Sequence, residues 1–241
     1  MKRTIAISFF LLTSGLSAQD TTFFAPEGYP VFTWFDAETY SVFEPSDTAD
    51  VLEETAYFLD NNLKRQCTYS DYARNIRHGK CTEFYEGGKA KYRAEYKEGL
   101  KHGNIISFYP DGKMKRQDFY RNDTLVSGWC YSPSGKREKH HPFEVKPQHP
   151  EGEVGFMNEL AERLDLKEEG DTVIVEFWIT HDGQVRAAEA TCDHPEAARM
   201  VEKAFLNLNP WRPGLRDGEP DVFREFITLY LDAEGIQGKD E

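Results

Sequence analysis

From residue 51 to 138, short aromatic-rich runs are separated by Gly-Gly, Asp-Gly or Glu-Gly. That spacing predicts β-strands joined by tight hairpin turns. The period changes further on. Phe156, Leu160 and Leu164 recur at helical spacing with Met157 and Ala161 on the same side, which predicts a helix over about 153–165. Thr172–Thr180 alternates, placing Val173, Val175, Phe177 and Ile179 on one face; Asp182-Gly183 supplies a turn, and Val185–Cys192 returns. Asp193, Pro195 and Glu196 open a second helix, whose apolar stripe is Ala197, Met200, Val201, Ala204, Phe205 and Leu208. Val222–Leu231 is the last strand. The predicted class is mainly β with α+β: an antiparallel β-hairpin repeat array, then a small three-stranded sheet with two helices on one face.

The repeat is visible by offset. His78-Gly79-Lys80 returns as His102-Gly103-Asn104 and then as Ser127-Gly128-Trp129; Phe84-Tyr85 returns as Phe108-Tyr109, and Gly88-Lys89 as Gly112-Lys113 and Gly135-Lys136. An earlier partial copy, LKRQCTY at Leu63–Tyr69, matches MKRQDFY at Met114–Tyr120. A fixed period of this kind marks supersecondary units that stack on their neighbours. In the repeat aromatics, stacking ladders between hairpins are favoured over an aromatic binding surface.

The ends bound the organisation. Lys2 and Arg3, the apolar run Ile5–Leu12 and the small residues up to Ala18 have the layout of a secretory signal peptide, too short to span a bilayer. The expected parts are a signal at 1–18, a lead-in segment at 19–50, repeats at 51–138, a linker at 139–149, a second domain at 150–234 and a polar tail at 235–241. Export to the periplasm or cell envelope follows, with no transmembrane segment after cleavage.

The net charge is −13; losing Lys2 and Arg3 makes it −13 − 2 = −15. Such a chain is unsuited to nucleic acid, where phosphate contacts demand Lys and Arg. Cys67, Cys81, Cys130 and Cys192 show no close zinc-site spacing. Cys67 and Cys81 flank one hairpin connection and form the candidate disulfide, with free thiols as the alternative. His140, His141 and His149 lie in a Pro-containing segment without carboxylate or Cys at ligand spacing, and His181-Asp182 belongs to a turn. Without a nucleophile, base and orienter set, the chain is expected to be no enzyme and to need no cofactor or metal.

The Gly, aromatic-pair, Asp-Gly-Lys pattern of the repeats resembles variant MORN repeats of the antitoxin-like kind, about a third of the chain, and implies a hairpin scaffold with protein binding. Residues 150–231 resemble the C-terminal domain of TonB in Pro150, Gly152, His181-Asp182-Gly183, the amphipathic second helix, Trp211-Arg212-Pro213-Gly214, Gly218, Pro220 and the closing strand. Glu153 stands where that family usually has a second Gly. The resemblance implies a protein partner in the envelope, such as an outer-membrane transporter or receptor, engaged by strand addition. The closing strand is then the edge, presenting Val222, Arg224, Phe226, Thr228 and Tyr230, with Trp211 and Arg212 as further contacts. The competing uses are an edge already occupied by the chain's own C-terminal residues and self-association through that edge. A membrane-anchored TonB-type energy transducer and a structural or carbohydrate-binding envelope module are the alternative functions.

Overall fold

The computed structural model describes residues 20–26, 29–31, 37–46, 51–164, 171–232 and 235–239. The expected signal at 1–18 lies outside the described residues. The chain is mostly strand, and its largest element is one antiparallel sheet of eleven strands. These are β1 (Asp20–Phe24), β2 (Pro30–Val31), β3 (Thr39–Pro45), β4 (Leu52–Phe58), β5 (Leu63–Asp71), β6 (Ile76–Phe84), β7 (Ala90–Lys97), β8 (Leu100–Phe108), β9 (Met114–Arg121), β10 (Thr124–Tyr131) and β11 (Arg137–Glu138). From β4 to β11 each strand lies beside its predecessor, and beyond β3 the sheet continues with β1 and then β2. The lead-in segment is thus part of the array.

Two turn types alternate along the sheet. At one edge Glu98-Gly99 and Asn122-Asp123 are two-residue loops with both φ positive, the geometry that matches strand twist. At the other edge Tyr85, Tyr109 and Ser132 each bond through N–H to the carbonyl four residues on, and Gly88, Gly112 and Gly135 sit at positive φ. Each unit is also stapled to the next. Tyr85 Oη donates to the Phe108 carbonyl at 2.8 Å, and Tyr109 Oη to the Tyr131 carbonyl at 2.7 Å. One sheet face buries Tyr69, Tyr92, Tyr96, Ile105 and Tyr120 around the Cys67–Cys81 disulfide, which joins directly opposed positions of β5 and β6.

After β12 (Glu144–Val145) the chain forms α1 (Gly152–Arg163), β13 (Asp171–Ile179), β14 (Val185–Thr191), α2 (Pro195–Phe205), a small hairpin of β15 (Leu215–Arg216) and β16 (Glu219–Pro220), and β17 (Phe223–Asp232). Phe156 and Leu160 of α1, Val201 and Phe205 of α2, and Val173, Val175, Phe177 and Ile179 of β13 make a second, separate core. The helices therefore cover one face of the sheet, as the alternation of β13 requires.

Two expectations need correction. The sheet has a fourth strand, β18 (Gly235–Lys239), which pairs antiparallel with β17, so of the alternatives for that edge the chain's own C-terminal residues occupy it. The segment 139–149 is also not a free linker. Phe143 is fully buried in the core of the large sheet, and β12 pairs with β15. A large aromatic at this position has more apolar surface to bury than a solvated linker would leave it.

Candidate functional site

The two cores meet at a polar seam. Arg116, fully buried on β9, is its hub. Its Nε donates to Asp217 at 2.7 Å, and Nη1 to Asp118 at 2.6 Å and to the His141 carbonyl at 2.8 Å. Burial opposes the charge of Arg116, and the bonds from Asp217 and Asp118 more than restore it. Asp217 reaches this position because Asp217 and Gly218 both take positive φ in the β15–β16 turn; it also accepts from Ser107 Oγ at 2.7 Å. Beside it, His140 Nε2 lies 3.0 Å from Asp118.

A second contact is made by Arg224, at the start of β17. Its guanidinium donates to the backbone carbonyls of Tyr72 and Ala73 at 2.9 and 3.2 Å and lies over the rings of Tyr72, Trp178 and Phe226. It is also paired with Glu176. Arg224, expected to face a partner, therefore spends its donors within the chain, on the β5–β6 connection. Trp211 is likewise internal. Its ring packs against His149, Phe156 and Phe177, and its backbone N–H donates to the Gly183 carbonyl at 2.8 Å. Gly183 cannot be larger: a Cβ there would lie 2.0 Å from the Trp211 carbonyl oxygen. Arg212 is exposed, and its backbone is bridged to Gln148.

The remaining residues of the set share one surface. Phe226 and Thr228 are half-buried and Tyr230 is exposed, on the sheet face opposite the helices, with exposed Ile174 across from Thr228. Val222 lies just before β17. The backbone polarity of β17 can be fixed. Thr180 N–H donates to Gln184 O, and Ala190 N–H donates to Glu202 Oε1 on the outer side of β14. Ala190 is opposite Val175. Even-numbered residues of β13 thus face β14 and odd-numbered ones face β17, because backbone groups alternate sides along an antiparallel strand. In β17 the odd residues serve β13, and Thr228 and Tyr230 direct their backbone groups to β18. That strand sits with Lys239 opposite Thr228 and Gly235 opposite Asp232. The other edge, β14, is partly capped by Glu202.

Sequence reading missed the buried carboxylates. Glu54, fully buried, accepts from Ser41 Oγ, Arg65 and Tyr69 Oη. The signal was the matched pair LKRQCTY and MKRQDFY, which puts Arg65 and Arg116 at equivalent places. Asp182 is held by turn bonds from Thr180 Oγ1 and Gln184 N–H, and Thr180 contributes most to holding its carboxyl low. Among the described residues there is no group of three metal-ligating side chains and no helix long and apolar enough to cross a membrane.

No curated protein and no solved structure matches the chain. Residues 77–98 and 101–122, spanning β6 to β9, match the MORN repeat variant family, repeats that suggest a protein- or membrane-binding module.

Proposed function

We propose that the chain is an exported, non-enzymatic interaction protein of the cell envelope. The repeats are its scaffold, and the TonB-like C-terminal domain captures an extended segment of a protein partner, such as an outer-membrane transporter or receptor, by strand addition. One observation carries the reading: the outer edge of β17 already accepts an added antiparallel strand, β18. An edge that pairs with a five-residue strand containing two glycines is competent for a better one, since glycine is a poor strand former. The helix, hairpin, helix, strand order supports the TonB likeness in fold terms alone.

The partner segment takes the place of β18. Removing residues 235–241 should raise capture of the partner from envelope extracts. Thr228→Pro in that shortened chain should abolish capture and leave the domain folded, because it deletes only an outward N–H. Ile227→Pro is the control; its N–H serves β13 and its loss should unfold the domain. Capture unchanged by Thr228→Pro in a folded protein would rule out strand addition.

A further inference from the structure

The start of β17 opens onto a cleft of about 460 Å³ between the large sheet and the second domain. Val222, Phe223 and Arg224 form one wall. Eight lysines and arginines line it against four carboxylates, in a chain whose net charge is −13. Most of these cations have a carboxylate partner, for example Lys91 with Glu83 and Lys101 with Asp123. Two do not, among the described residues. Arg77 has no carboxylate in contact: Nη1 donates to the Tyr96 hydroxyl at 3.2 Å, the guanidinium lies over that ring, the buried Nε has no acceptor, and Glu144 of the cleft wall acts on it only through space. Lys64 has the Phe58 ring at 5.5 Å and no ion pair; burial and the neighbouring Arg65 push its ammonium pKa down.

The two cations are far apart. Arg77 is opposite Tyr69, five residues along β5 from Lys64, so they are spaced by about 16 Å at the rise of a strand. A compact ion cannot satisfy both, whereas an extended chain with several negative groups can. The strand register shows how such a chain arrives. With Lys239 opposite Thr228, a strand continuing in that direction comes opposite Arg224 four residues later, at the mouth of the cleft.

We propose that the partner segment is bipartite: a strand that pairs with β17, followed at its C-terminal side by acidic residues that enter this cleft and neutralise Arg77 and Lys64. The inference rests on the strand-addition reading and names the partner's chemistry. Burial opposes the charge of Arg77, and the neighbouring tyrosines and Glu144 outweigh it; an incoming carboxylate supplies the acceptor that the buried Nε lacks. Within the cleft, the two cations without a contacting carboxylate favour an acidic segment over a basic one.

The test grafts the segment onto the full chain. Asp-Glu-Asp-Glu is appended after Glu241 in one protein and Gln-Asn-Gln-Asn in another, and amide exchange is followed along β17. Both should retain protection at Thr228 and Tyr230. The acidic extension should slow exchange at Arg224 and Phe226 by about threefold or more over the neutral one at low salt, a gain screened away at high salt. Lys64→Gln, a half-buried position that leaves Arg77 intact, should remove part of the gain, and Arg77→Gln more of it. Equal protection by the two extensions, with Thr228 and Tyr230 protected, overturns the acidic-segment inference and leaves strand addition standing. Loss of protection at Thr228 and Tyr230 in both proteins overturns strand addition itself.

Discussion

Glu83 sits on β6 with little exposure, beside Lys91 at 3.0 Å. Burial alone would raise its pKa, but Lys91, then Arg216 and Arg65, outweigh that and bring it from 4.5 to about 2. A carboxylate held below its unfolded value stabilises the fold fully above about pH 4.5, and that contribution is lost as pH falls towards 2. Thermal unfolding across this range should therefore show a falling melting temperature, and Glu83→Gln should flatten the fall. An acid limb unchanged in Glu83→Gln would remove Glu83 from the account. These pairs were only half legible in the sequence. The two KRQ copies put Arg65 and Arg116 in matching positions, but their carboxylates come from unrelated places. Glu54 lies one strand back from Arg65, and Asp217 is separated from Arg116 by 101 residues. Only Asp118, two residues from Arg116 within the MKRQDFY copy, is a local partner; no local spacing encodes the other two.

Hairpin units were readable because their turns demand particular residues. Gly88, Gly112 and Gly135 stand where φ is positive, and an L side chain there is strained. The helices were readable from their apolar stripes. The lead-in strands and β18 were not, because Gly-Ile-Gln-Gly-Lys carries no alternating pattern and becomes a strand through main-chain pairing with β17. The Cys67–Cys81 disulfide ties β5 to β6 across a sequence separation of 14. Closing a loop of this size stabilises by about 3 kcal/mol through the unfolded chain. Reduction, or Cys67→Ala with Cys81→Ala, should lower stability by about that amount in denaturant titration while the sheet stays folded. No change on reduction would show that the pair does not tie the sheet in solution.

Two cores joined by buried polar contacts make the molecule more than a scaffold with a flexibly attached domain. Phe143 is lodged in the sheet core, and Arg116, Asp118, Asp217 and His141 meet behind it. The composition of 139–149, with its Pro and charged residues, reads as a linker because composition reports solvation tendency and not where a single aromatic goes. Limited proteolysis of the native protein should consequently spare 140–149 until global unfolding. Early cleavage there would mean that the seam opens. That seam fixes β17 beside the basic cleft, leaving the far part of its edge to pair with an added strand. The central claim is that this edge accepts strands, and residue-resolved amide exchange on the full chain and on the chain lacking 235–241 tests it most directly. The account predicts that removing the tail exposes the Thr228 and Tyr230 amides while Ile227 and Leu229, bonded to β13, stay protected. Unchanged exchange at Thr228 and Tyr230 would contradict it.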